Sequence, residues 1–151
     1  MANYAKGNIA EAVAICGVID PDAYTAAAYT SSIVDMQDFR EIAIIVLAGD
    51  LGASATLDCS VAGSAASNMS SSGALTGKSI TQLTQAGTDS NKQAIIRVTA
   101  EEVAAQGYRY VQATMTVATA TSDAGLLIIG FPAHYSDAAD FDLAAVDEIV
   151  M

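Results

Sequence analysis

The stretch Glu41-Ile42-Ala43-Ile44-Ile45-Val46-Leu47-Ala48, followed by Gly49-Asp50-Leu51-Gly52, decides the fold. After Glu41 it is an unbroken aliphatic run, dense in β-branched Ile and Val, whose stiff side chains suit a pleated strand. A strand with one wet face alternates apolar and polar residues, and this one does not. It therefore reads as a strand buried on both faces or nearly so. The Gly-Asp-Leu-Gly link turns the chain, after which Ala55, Leu57, Cys59 and Val61 alternate with Thr56, Asp58 and Ser60. That is a half-buried strand, and the short link predicts a hairpin between the two.

The β pattern continues outward from this pair. Residues 92–99 read as a strand with Ala94, Ile96 and Val98 on one face, and residues 111–117 alternate Val111, Ala113, Met115 and Val117 with polar neighbours. Residues 126–131 form the last strong strand, ended by Pro132, and the turn at 120–125 predicts a second hairpin. Residues 80–84 read as a short strand before the turn cluster at 87–91, and the Ser-rich segment 64–79 as a long flexible loop. One helix is predicted over 99–107: Thr99 caps it, Glu102 completes a capping box and Gly107 stops it. The N-terminal third is less regular. Residues 10–18 fit either a strand or a short helix, Ile19-Asp20-Pro21-Asp22 interrupts them, and residues 30–36 fit a short strand. The expectation is a mainly β fold, an antiparallel β-sandwich for which a jelly roll is one available form, with one short helix. Residues 1–28 are expected as an irregular N-terminal arm and residues 29–151 as the sandwich domain.

At 151 residues, 52% of them hydrophobic and 15% charged, the chain suits one folded domain with a thinly charged surface. No apolar run approaches the roughly 20 residues of a spanning helix, so no membrane partner is expected. Seventeen acidic against six basic residues give a net charge of −11, with no basic residue after Arg109. Such a surface repels phosphate backbones and favours a basic partner over nucleic acid. The N-terminus lacks the charged and apolar regions of a secretory signal, which predicts synthesis in the cytoplasm. Cys16 and Cys59 read as two buried thiols in a reducing compartment, although their spacing leaves a disulfide open.

Several short patterns touch on chemistry. Gly77-Lys78-Ser79 ends like a phosphate-binding loop, but the position five residues before Gly77 is Ser72, with Gly73 out of register. The polar feeding segment and the Thr-rich segment that follows match neither the strand nor the helix such a loop needs, so Lys78 is expected to meet a carboxylate. His134, the single histidine, stands beside Ser136 and Asp137, whereas triad members converge from separated segments. It reads as a solvated or hydrogen-bonded side chain at a strand end. The pair Asp20 and Asp22 and the group Asp137, Asp140 and Asp142 lack the Gly and closing Glu of an EF-hand loop, and read as local caps and solvated charge. Tyr108 and Tyr110 lie two apart and read as sandwich packing. No catalytic, cofactor or metal site is expected, and the chain is not expected to be an enzyme.

Taken in order, certain segments resemble a known class. Tyr29-Thr30-Ser31-Ser32-Ile33-Val34-Asp35-Met36 leads through Phe39 into the 42–48 strand. After Gly49-Asp50-Leu51-Gly52 come the 56–61 strand, Leu83-Thr84-Gln85-Ala86-Gly87-Thr88-Asp89-Ser90-Asn91-Lys92, Gly107-Tyr108-Arg109-Tyr110-Val111 and Gly130-Phe131-Pro132-Ala133-His134-Tyr135. From about residue 29 to 150 this is similar to small virion proteins of tailed bacteriophages, most like head decoration (cement) proteins. The resemblance implies a structural role on the capsid surface of the virion, binding to the major capsid protein shell, with copies associated as a homo-oligomer, a trimer favoured. It implies synthesis in the bacterial host. In and next to the arm, Tyr4, Tyr24 and Tyr29 are the expected partner-binding anchors, since aromatic side chains concentrate interface energy. A tail or head–tail connector protein is the alternative in the same class. A carbohydrate-binding module is a further one, although the chain has no Trp and its six tyrosines form no evident sugar platform.

Overall fold

Ten strands carry the alternation seen in the sequence. In the computed structural model, described over residues 8–150, they are β1 (Ala14–Tyr24), β2 (Ala27–Thr30), β3 (Val34–Asp35), β4 (Phe39–Ala48), β5 (Thr56–Ser64), β6 (Gly73–Ser79), β7 (Leu83–Thr84), β8 (Gln93–Thr99), β9 (Tyr110–Ala118) and β10 (Ser122–Ala133). Helix α1 (Ile9–Ala12) precedes them, α2 (Ala100–Ala105) joins β8 to β9, and a 3-10 turn (Ala138–Phe141) follows β10. One sheet has the order β1-β10-β4-β8 and the other β2-β9-β5-β6, with β3 paired to β9 and β7 to β5. All pairings are antiparallel.

The pairs β5–β6, β4–β8, β2–β9 and β1–β10 nest inside one another like a long hairpin folded over on itself. That double Greek key wrapped into two facing sheets is a jelly roll, the form of sandwich open from the sequence. The core lies between the sheets. From the first, Ile42, Ile44 and Val46 of β4 stand beside Leu126 and Ile128 of β10 and Ile96 and Val98 of β8. They face Leu57, Cys59 and Val61 of β5 and Val111, Ala113, Met115 and Val117 of β9. Burying each large aliphatic side chain contributes about 1.5–3 kcal/mol, which makes this double layer the main source of stability. Gly130 sits where a Cβ would lie 2.7 Å from the Phe39 ring, so glycine lets β10 carry that ring beneath it.

Neither predicted hairpin forms. The 49–52 link carries the chain from β4 in one sheet to β5 in the other, and the 119–121 link carries it from β9 back to β10. A short Gly-rich link has the same local chemistry whether the next strand turns back or crosses to the facing sheet. Here the two links brace each other. The Gly49 N–H donates to the Asp123 carbonyl at 2.8 Å, the Asp123 N–H to the Asp50 carbonyl at 2.9 Å, and the Gly52 N–H to Ser122 Oγ at 3.1 Å. A Cβ on Gly52 would run into the Thr121 carbonyl.

The segment expected as an irregular arm is regular from residue 14. β1 pairs with β10 from Ala14 to Tyr24, with register shifts between Ile15 and Gly17 and between Ile19 and Asp22. Being an edge strand, it accommodates Pro21. It also puts Ala14, Cys16 and Ile19 into the core, so residues 14–28 belong to the sandwich. The Ser-rich segment holds strand structure too. β5 runs on to Ser64, and β6 returns beside it with the turn 65–72 between, closed by Ser64 Oγ donating to the Ser70 carbonyl at 2.8 Å.

Candidate interaction surface

β4 shows how the sheets differ outside. From Ile42 on, its even positions face the core, leaving Ala43, Ile45 and Leu47 pointing the other way, after Glu41. The register sets them among like residues. Ile45 lies between Leu127 of β10 and Ile95 of β8, with Val18 of β1 beyond Leu127. Ala43 lies between Ile129 and Arg97, with Ile15 beyond Ile129. Phe131 and Leu47 extend the face toward its two ends. The outer face of this four-stranded sheet thus has the aliphatic makeup of its inner face. Among the described residues no layer covers it: Ile95 is 68% exposed, Leu47 41% and Phe131 36%, and the rest are half-buried. Its charges are the ion pair Arg97–Glu41, in which Nη2 and Nε lie 2.5 and 2.6 Å from Oε2, and the exposed Asp123 at one end. At one end Pro21, Leu47 and Gly125 line a concavity of about 470 Å³ rimmed by Asp22 and Asp123.

The outer face of the other sheet is different. Thr114, Thr116 and Gln112 of β9 stand beside Thr56, Asp58 and Ser60 of β5, all half-buried or exposed. Gln82 Nε2 donates to Asp58 Oδ2 at 2.7 Å. This is ordinary solvated sheet surface with apolar-in, polar-out alternation.

The structure brings Tyr24 and Tyr29 together at the crossing from β1 to β2. Their ring centroids are 4.4 Å apart with planes tilted by 55°, and both rings pack partly against the core. Tyr24 Oη donates to the Asp20 carbonyl and Tyr29 Oη to the Thr25 carbonyl at 3.0 Å, which holds the rings at the end of the sandwich. Burial and the nearby Asp20 and Asp22 push the Tyr24 phenol above its ordinary pKa. Tyr4 lies outside the described residues. Asp22 and Ala23, the two residues before Tyr24, border the concavity on the apolar face.

The remaining singled-out residues have local roles. Lys78 Nζ lies 3.0 Å from Glu102 Oε2 and donates to the Arg97 carbonyl at 2.7 Å, so it meets a carboxylate and covers part of the β8 edge. The His134 side chain is exposed at the end of β10, its ring 5.9 Å from that of Tyr135, and its backbone N–H donates to the Asp38 carbonyl at 2.8 Å. Ser136 Oγ donates to the Asp137 carbonyl. Asp142 Oδ1 accepts the Ile15 N–H at 2.6 Å, and the Leu143 N–H donates to the Ile15 carbonyl at 2.9 Å, so the segment after β10 straps the β1 edge. Asp22 Oδ1 accepts the Ala23 N–H. Among the described residues no three metal-ligating side chains gather. Tyr108 precedes β9, its ring against Gly63 and Gly73, where a Cβ on Gly63 would approach the ring to 2.5 Å. Arg109 pairs with Asp35 at 2.5 Å. Burial would raise the Asp35 pKa, but the Arg109 hydrogen bonds and charge win and hold it below its ordinary value. Cys16 and Cys59 are free and buried, and burial pushes each thiol up to about 12.

The fold and surface define a jelly-roll β-sandwich with one uncovered apolar sheet face. No protein-family model and no curated protein matches the chain. Among solved structures, it is similar to a chain in the structure of infectious bursal disease virus, Gx strain, with a TM-score of 0.42 and 8% identity over 84% of this chain and 33% of that one. It is also similar to the K1 cleaved adhesin domain of Lys-gingipain from Porphyromonas gingivalis W83, with a TM-score of 0.38 and 16% identity over 71% of this chain and 63% of that one. The chain spans about a third of the first and less than two thirds of the second. Both are likenesses of β architecture.

Proposed function

We propose that the chain is a structural virion protein that decorates and stabilises a tailed-phage capsid by binding the major capsid protein shell. The observation that carries this reading is the outer face of the β1-β10-β4-β8 sheet, whose middle is aliphatic like a core and has no covering layer among the described residues. A folded chain that leaves such a face open is built for lasting assembly, because contiguous apolar patches are the mark of interaction surfaces. The resemblance of residues 29–150 to decoration proteins supports the same reading and supplies the partner. The net charge of −11 suits docking onto basic patches of a shell. Tyr24 and Tyr29 are the proposed shell anchors, a rigid aromatic pair that costs little side-chain entropy to bury. In this role the protein works without catalysis, by adding contacts between capsomers.

Co-sedimentation with expanded, DNA-free capsids of the phage that encodes the chain tests the proposal. Saturable binding is expected, weakened at least tenfold by Tyr24→Ala combined with Tyr29→Ala in a variant that retains its β circular dichroism. Absence of binding to capsids, with binding to tails or connectors, would overturn the capsid reading in favour of a tail component.

A further inference from the structure

We propose that the concavity rimmed by Asp22 and Asp123, at one end of the apolar face, receives an arginine side chain of the shell. The inference rests on the capsid reading for the source of the arginine, and on charge and shape for the site.

The hollow follows from the strand register. Along the outer face of β10, Ile129 and Leu127 carry aliphatic side chains, and the next position in the row is Gly125. A Cβ there would stand 3.1 Å from Pro21 Cα. Glycine thus lets β1 lie close and leaves the surface sunken beside Leu47, its partner in β4. Pro21, Leu47, Ala48 and Ala124 make the lining of this space of about 470 Å³ largely aliphatic. Asp22 and Asp123 reach its rim from the neighbouring strands β1 and β10, one step apart in register, and both are exposed.

Neither rim carboxylate meets a cation among the described residues. Asp22 Oδ1 accepts the Ala23 N–H at 2.7 Å, and no other bond to either carboxylate forms among those residues. The basic side chains are engaged elsewhere: Lys78, Lys92, Arg97 and Arg109 lie on Glu102, Asp89, Glu41 and Asp35. Arg40 stands at the opposite end of β4, in the hollow lined by Pro132 and His134. The counter-charge at this rim therefore comes from a partner.

An aliphatic floor under two unpaired carboxylates suits a side chain that is apolar along its stem and cationic at its tip. Arginine fits better than lysine. Its guanidinium is more weakly hydrated than an ammonium, so it is less costly to bring against Leu47 and Pro21, and its five N–H donors can serve two carboxylates at once. An aliphatic side chain in the same place would strip water from the carboxylates and return no hydrogen bond. The hollow also joins the two parts of the docking surface, since Asp22 and Ala23 run directly into the tyrosine pair and Leu47 into the aliphatic rows. A charge contact there would fix the register of a flat plate that apolar contacts alone leave free to slide.

Amide chemical shifts of the full, isotope-labelled chain read the site without the shell. The probes are N-acetyl-arginine methylamide and its neutral isostere, the citrulline derivative. Saturable shifts at Leu47, Gly49, Asp123 and Gly125 are expected with arginine and not with citrulline. Asp22→Asn combined with Asp123→Asn, which keeps the Oδ1 acceptor for the Ala23 N–H, should abolish them. Asp147→Asn combined with Glu148→Gln removes the same charge from exposed positions elsewhere and should leave them unchanged. An equal response to citrulline, shifts scattered over the acidic surface, or an unaltered titration in the rim variant would overturn the inference. In co-sedimentation with expanded capsids, the rim variant should bind about tenfold more weakly than the parent and the charge-matched control like the parent. Capsid binding undiminished in the rim variant would overturn the inference and leave the decoration reading standing. An arginine response at the rim in a protein that ignores capsids would overturn the shell as the source, and the decoration reading with it.

Discussion

Thr99 and Glu102 close the start of α2 on each other. Thr99 Oγ1 accepts the Glu102 N–H at 3.2 Å, and Glu102 Oε2 accepts the Thr99 N–H at 2.9 Å. The Thr99 backbone N–H first, and then Lys78, hold the Glu102 carboxyl at about 2. Because this pKa lies below the ordinary carboxylate value, the stabilisation is complete above pH 4.5 and is lost as the pH falls through about 2. Replacing Glu102 with Gln should therefore flatten the acid limb of stability in that window, measured by urea unfolding at a series of pH values. Thr99→Ala should cost about 1 kcal/mol by the same measurement at neutral pH. The cysteines make a separate test. With both thiols buried and their pKa near 12, a thiol reagent at pH 8 should label neither Cys16 nor Cys59 in the native protein and both after unfolding. Fast labelling of the native state would mean that one of these positions is open to solvent.

Among the elements, the strands that alternate or run continuously aliphatic were legible in the sequence: β4, β5, β8, β9 and β10 all lie where the pattern put them. So was α2, whose capping box is a purely local signal. What was not legible has physical causes. β1 is an edge strand with two register shifts and a proline, so its apolar residues fall out of phase with a simple alternation. β6 contributes one buried aliphatic side chain, Leu75, and its Ser- and Gly-rich composition hides a strand held by backbone pairing to β5. Register with a partner strand, and not composition, makes both. β1 also changes what a truncation should do. Removing residues 2–28 takes Ala14, Cys16 and Ile19 out of the core and uncovers the β10 edge. The truncated chain should lose cooperative thermal unfolding, whereas removing residues 2–8 should leave the transition within a few degrees of the full chain. A cooperative transition in the longer deletion would mean that the sandwich does not need its β1 edge.

For the whole molecule, the aliphatic run at 42–48 reads in the sequence as buried on both faces, and the fold covers one of them. The described residues supply no second covering, and nothing local to the run could say what does. The nesting of β5–β6 within β4–β8, β2–β9 and β1–β10 was beyond reach for a related reason. The links at 49–52 and 119–121 cross between sheets where Gly49, Asp50 and Gly52 bond to Ser122 and Asp123 at the start of β10, a contact between segments some 70 residues apart. Tyr24 and Tyr29 stand out in the sequence as aromatics, and the structure places their rings together at the crossing from β1 to β2. The apolar face does not stand out there, since it forms only when register aligns Val18, Leu127, Ile45 and Ile95. The central claim is that this face is buried by assembly on a shell. Electron cryo-microscopy of expanded capsids incubated with the purified chain tests it most directly. The expected density shows jelly rolls seated on the shell with the outer face of the β1-β10-β4-β8 sheet turned onto it. Bare shells, or copies with that sheet face turned to solvent, would contradict it.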